Sequence, residues 1–79
     1  MPDDYQPVAC SLHSEYELMA MHRDQVQLEY NEGQQQLSVT GQVIDLVTRD
    51  GAEFLCITSA GQQLQIRLDH IVRLKKIAD

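Results

Sequence analysis

The chain has no tryptophan, one phenylalanine and three tyrosines in 79 residues. Surfaces that hold single-stranded nucleic acid stack bases on aromatic rings set among basic side chains. Aromatics for that purpose are thin here, and so are bases. Six Lys and Arg stand against twelve Asp and Glu, giving a net charge of −6 and a pI near 4.8. Cysteine occurs twice, at Cys10 and Cys56. Two are too few for a disulfide scaffold, and free thiols fit a reducing compartment. No run approaches the roughly 20 apolar residues that span a bilayer. Residues 1–9 hold two prolines and two aspartates, which is not the pattern of a secretory signal. The expectation is a cytoplasmic protein.

Motifs that carry chemistry are equally scarce. P-loop, GxGxxG and HExxH patterns are absent. Cys10-x-x-His13 has zinc-like spacing, with His22 further along, but the second ligand pair of a structural zinc site is missing. Cys56 lies in the densest apolar run and reads as a core residue. Nothing assembles a nucleophile, a base and an orienting group. Neither enzyme activity nor a metal or cofactor is expected.

What is present is ordinary globular composition, 43% hydrophobic and 23% charged, which argues against a disordered chain. The length suits one domain over residues 1–79. A domain of this size buries only about 60% of the surface its unfolded chain exposes. Little volume is left for a deep pocket beside the core. The charge is unevenly spread. Asp3, Asp4, Glu15, Glu17, Asp24, Glu29 and Glu32 face a single base, Arg23, in residues 1–40, whereas acids and bases balance in residues 41–79. An acidic half repels nucleic acid and anionic lipid and attracts basic surfaces.

Along the chain, Pro2 and Pro7 make residues 1–9 an extended arm, which Tyr5 and Val8 can pin to the body. Residues 11–22 predict a short helix, capped at Ser11 or Ser14, with Ser14-x-x-Glu17 matching a capping box. Leu12, Tyr16 and Met19 form its apolar stripe and Leu18 widens it. His13, Glu17, Met21 and Asp24 point toward solvent or a partner. Residues 25–77 then read as about five strands. Val26, Leu28 and Tyr30 alternate with polar residues, and Asn31-Glu32-Gly33 turns the chain. Gly41 marks a bulge or sharp bend between Leu37–Val39 and Val43–Val47. Further turns fall at Arg49-Asp50-Gly51 and Ser59–Gln62, and Asp69-His70 is a tight connection before the last strand. Five short antiparallel strands curl into a small barrel, which removes exposed edges. The fold class expected is mainly β with one N-terminal helix, a small Sm-like (SH3-like) antiparallel barrel.

Several segments resemble one family. Tyr5-Gln6-Pro7-Val8-Ala9-Cys10 is similar to the Y-Q-P-[IV]-x-C opening of the Rho-binding antiterminators, the Rof family. Glu17-Leu18 sits where that family has its helix. Asp45-Leu46-Val47-Thr48-Arg49, Glu53-Phe54-Leu55 and Arg67-Leu68-Asp69-His70-Ile71 resemble its D-L-V-[ST]-R, E-[YF]-L and R-L-D-x-I segments. The resemblance runs in register over residues 5–77. It implies an Sm-like barrel that binds transcription termination factor Rho, a ring-shaped RNA helicase, on its N-terminal RNA-binding domain. RNA loading is then blocked and Rho-dependent termination falls.

Such a mechanism needs an acidic surface that meets the basic residues of an RNA site. Glu15 and Glu17 are the first candidates, with Asp3, Asp4 and Asp24 as neighbours. Arg49, Asp50 and Glu53 form a second candidate patch. Tyr5 and Tyr16 serve either as anchors or in packing. One departure stands out: family members can carry aspartates just after the motif cysteine, and this chain has Ser11, Leu12, His13 and Ser14 there. A histidine at that place adds a pH-sensitive charge to the surface. The competing readings are an Sm-like adaptor for another basic protein, an RNA-binding barrel and a small enzyme. A monomer that binds no nucleic acid directly is the expectation.

Overall fold

The computed structural model describes residue 8 and residues 10–77. Helix α1 covers Cys10–His22, and strands β1 (Gln25–Glu32), β2 (Gln35–Arg49), β3 (Ala52–Ser59), β4 (Gln62–Arg67) and β5 (Ile71–Lys76) follow, with a 3₁₀ turn at Leu68–His70. The five strands form one antiparallel sheet in the order β4-β3-β2-β1-β5. This is the mainly β, one-helix class that the alternation of residues predicts. The ladder does not close, however: β4 and β5 are the two ends of the sheet and do not pair. The expected loss of both edges is therefore not realised. The 3₁₀ turn bridges the two ends instead and buries Leu68.

Helix α1 starts at Cys10, so Ser11 and Ser14 lie inside it and neither is its cap. The Ser14-x-x-Glu17 pattern is thus a mid-helix coincidence rather than a capping box. At the other end Arg23 adopts a left-handed backbone, φ 54°. The Arg23 amide donates to Ala20 O at 3.2 Å and the Asp24 amide to Met19 O at 3.0 Å. These are the two bonds of a Schellman stop, made here without the usual glycine.

Strand β2 organises the sheet. Gln35–Gln42 pair with β1, and Gln42–Arg49 pair with β3. Gly41 stands where one pairing gives way to the other, and it is buried. The register shift expected there falls slightly later, between Val43 and Asp45, with Ile44 as the extra residue. Gly41 answers a different need. A Cβ at this position would collide with the Thr58 carbonyl oxygen on β3. Glycine allows the close backbone approach.

The turns follow the residues. Asp50-Gly51 and Ala60-Gly61 have positive φ at both central positions, as two-residue hairpins of type I′ require. The first hairpin turns at Gly33-Gln34 rather than over Asn31–Gly33, because Asn31 and Glu32 remain paired with Gln36 and Gln35. Arg67 and Asp69 straddle the buried Leu68 and form a two-bond ion pair, Nε to Oδ1 and Nη2 to Oδ2, each 2.7 Å. The core is Tyr16 from α1, Val26 and Leu28 from β1, Val43 from β2, Leu55 and Ile57 from β3, Ile66 from β4, and Leu68.

Gly41→Ala should destabilise the protein by about 1–3 kcal/mol, the range for forcing an extra methyl group into a packed site. A urea midpoint equal to that of the parent chain would show that β3 yields there without cost.

Candidate partner-binding surface around helix α1

The helix repeat decides which candidates can act together. Residues advance about 100° each around α1. Tyr16 is the buried centre of the inner face, 4% exposed, with Met19 and Ala20 packed beside it. It is a core residue, not a partner anchor. Leu18 lies two residues on, about 160° from Tyr16 the short way round. It is therefore 51% exposed and does not widen the inner stripe, contrary to the expectation. Leu12 also remains 38% exposed, and Met21 reaches 74%. The outward ridge of α1 thus carries Leu18 and Met21.

Glu15 and Glu17 flank this ridge on opposite sides. Glu15 lines a groove between α1 and β5, together with Tyr16, Ile71 and Arg73. Glu17 faces β2, beside Asp45 and Leu46. The side facing β2 exists because β1 stops pairing with β2 at Gln25–Gln42. From Val43 onward no strand among the described residues lies beside that edge of β2, and α1 packs there. Two β2 amides in this stretch find partners outside the sheet: Val43 N donates to Asp24 O at 2.9 Å, and Leu46 N to the Asp45 side chain at 2.8 Å. Residue order alone does not single out Asp45. Its place between Ile44 and Leu46 reads as simple alternation, and only the bulge at Ile44 brings it beside the helix.

His13 does not simply face solvent. Its Nε2 lies 3.0 Å from Glu53 Oε2 on β3, and its Nδ1 lies 3.8 Å from Glu17 Oε1. The ring joins two carboxylates that are 36 positions apart in the chain.

The proposed central patch is divided by the sheet. Glu53 pairs with Thr48, and Arg49 with Ala52, so Glu53 and Arg49 project from opposite faces. Glu53 joins the α1 surface through His13. Arg49 lies over the Phe54 ring, 4.6 Å from its centroid, and donates to Gln65 Oε1 at 2.6 Å. Asp50 is exposed at the hairpin tip. Asp24 is half-buried past the end of α1, its carboxylate 3.8 Å from Lys76 Nζ. Asp3, Asp4 and Tyr5 lie outside the described residues.

Cys10 is an exposed free thiol and Cys56 a buried one. Among the described residues no group of three or more potential ligands is gathered for a metal ion. No helix there is long and apolar enough to cross a membrane.

With this geometry in hand, comparison with known proteins is decisive. The family described as "Modulator of Rho-dependent transcription termination (ROF)" matches residues 7–79. The chain belongs to the ROF family. It is 34% identical over 71 residues to "Protein rof" of Escherichia coli (strain K12), covering 90% of this chain and 81% of that protein. "Protein rof" of Shigella flexneri aligns with the same identity and coverage. The match takes in α1, the whole sheet and the 3₁₀ turn. The matched residues include the Arg67–Asp69 ion pair around Leu68 and Asp45 at the open edge of β2.

Two measurements probe this arrangement. Burial pushes the Tyr16 phenol above its usual 10.0, and the Glu15 carboxylate adds to the shift. Burial also raises the Cys56 thiol, with help from Asp45, while Arg49 and a hydrogen bond with Gln65 pull it down. Both groups hold their protons more tightly folded than unfolded. The stability they carry is complete below their ordinary values and is lost as pH rises through the folded values. The melting temperature should fall from about pH 8 to about pH 11, and less steeply in Tyr16→Phe. An equal slope in that variant would remove Tyr16 as a source. For the His13–Glu53 contact, a double-mutant cycle with alanine at both positions should give a coupling of about 0.5–1.5 kcal/mol. A coupling of zero would mean that the contact contributes nothing to holding α1 on β3.

Proposed function

We propose that this protein inhibits Rho-dependent transcription termination by binding the RNA-binding N-terminal domain of Rho and keeping RNA from loading. One observation carries the reading. The outward ridge of α1 exposes Leu18 and Met21, with carboxylates of Glu15 and Glu17 on its two flanks. An apolar strip rimmed by charge is the composition of a protein interface. Here the rim is acidic, and a site built to hold RNA phosphates is basic. Carboxylates on the ridge pair with the same arginines and lysines that would hold phosphates. Family membership supplies the process, and the α1 ridge supplies the means.

The protein acts stoichiometrically, as a monomeric binding module in the cytoplasm. It catalyses no reaction and holds no RNA of its own. Glu53 contributes through His13, and Asp3 and Asp4 add two further negative charges to the first half of the chain. Arg49 and Asp50 stand apart from the ridge, on the far face and at the hairpin tip, and make a separate, weaker contact.

A competition experiment tests the proposal. The protein is titrated into Rho bound to a labelled cytosine-rich RNA, and anisotropy is followed. RNA should be released at a stoichiometric dose, while the protein alone leaves free RNA unchanged. Glu17→Lys should retain the parent's melting temperature within a few degrees, because the position is exposed, and should weaken release about tenfold or more. Retention of RNA by Rho at saturating protein would sink the proposal. It would leave a basic partner other than Rho to be sought.

A further inference from the structure

Where α1 covers the open edge of β2, a surface hollow of about 320 Å³ lies between helix and strand. It is lined by Glu17, Ala20, Met21, Asp45 and Leu46. Three of these are apolar. The other two are acidic, one from each element, and among the described residues no basic side chain lines the hollow. Asp45 Oδ1 accepts the Leu46 amide at 2.8 Å, which fixes the carboxylate and leaves its second oxygen outside that bond.

The combination is selective. An anionic group is repelled by both acids. A neutral apolar group fills the space but desolvates two carboxylates without pairing them, which is unfavourable. A cation on a long aliphatic stem satisfies every wall. Its methylenes pack on Ala20, Met21 and Leu46, and its head meets the acids. Guanidinium suits this better than ammonium. It is planar and weakly hydrated, and it presents several donors that can reach carboxylates on two sides at once.

We infer that this hollow seats one arginine side chain of the protein's basic partner. The inference rests on the reading that this side of α1 faces the RNA-binding domain of Rho, and it names the chemical group recognised there. It also gives Asp45 a role. The carboxylate completes the pocket that Glu17 alone leaves one-sided.

Two measurements on the full chain separate the inference from the reading beneath it. The first is affinity for the isolated RNA-binding domain of Rho, for the parent chain, Asp45→Asn, Glu17→Gln and Glu15→Gln. Asparagine keeps the Oδ1 acceptor for the Leu46 amide, and melting curves confirm folding of each variant. Asp45→Asn and Glu17→Gln should each weaken binding about tenfold, and Glu15→Gln, outside the hollow, clearly less. The second is an amide-shift NMR titration with N-acetyl-arginine methylamide, with the lysine and citrulline analogues as comparators. Shifts from the arginine probe should centre on Ala20, Met21, Asp45 and Leu46, weaken with lysine, and vanish with neutral citrulline or in Asp45→Asn.

Parent-level Rho affinity in both Asp45→Asn and Glu17→Gln would overturn the arginine pocket and leave the Rho reading standing. A parent chain that ignores Rho but shifts at the hollow with arginine would overturn the Rho reading and retain the pocket. Shifts as large with lysine or citrulline as with arginine, or shifts scattered away from the hollow, would overturn the assignment of a guanidinium.

Discussion

The handover of β2 from one partner strand to another is the constraint on which the rest of this structure depends. A single strand of 15 residues pairs with β1 over its first half and with β3 over its second. That exchange needs a residue without a side chain where β3 passes closest, and Gly41 stands there. It needs an adjustment of register, which Ile44 absorbs. It also leaves one edge of β2 uncovered from Val43 onward. An uncovered edge exposes amides and carbonyls that must find partners. Asp24, the Asp45 side chain and helix α1 meet that need together.

The position of α1 is therefore a consequence of strand pairing rather than of helix strength. At 13 residues the helix is marginal by itself, and it has no acidic residue in its first turn to favour its start. Tertiary contacts hold it: Tyr16, Met19 and Ala20 pack on the core, and His13 reaches Glu53. Once the inner face is committed in this way, the outer face is committed too. Leu18 and Met21 are left in solvent with glutamates on either side. Exposed apolar side chains on so small a domain lower solubility unless a partner covers them. The exposed apolar and acidic character of the ridge and the packing of α1 share one geometric origin.

The two halves of the chain divide the work. The second half, balanced in charge, supplies β3, the two end strands β4 and β5, and the Arg67–Asp69 pair around Leu68. That pair is nearly enclosed, the Asp69 side chain being 7% exposed. It ties together the place where β4 and β5 fail to meet. The first half carries the excess acid, with Glu15 and Glu17 on α1 and Glu29 and Glu32 on β1. Three of the cations are engaged by neighbouring side chains. Arg49 stacks on Phe54, Arg67 holds Asp69, and Lys76 lies near Asp24. What this surface offers a partner is mainly negative charge and a few apolar side chains.

Strand alternation, glycine at the turns and the apolar run around Cys56 were legible without coordinates, because period-two burial is written directly into residue order. So were the family, from segments in register, and the acidic bias of the first half. Leu18 stands next to the apolar stripe in residue order but across the helix from it in angle, so the residue pattern alone assigns it the wrong face. The Ser14 capping box failed because four residues of pattern do not say where a helix begins. Asp45 and the His13–Glu53 contact were beyond reach. Asp45 depends on a one-residue bulge beside the edge that β1 leaves open, the His13–Glu53 contact on how α1 packs against the sheet, and neither is encoded locally. The sequence by itself determined the fold class, the charge of the surface and the family. Only the tertiary structure decided which acids share a surface, because that follows from the side of β2 on which α1 comes to rest.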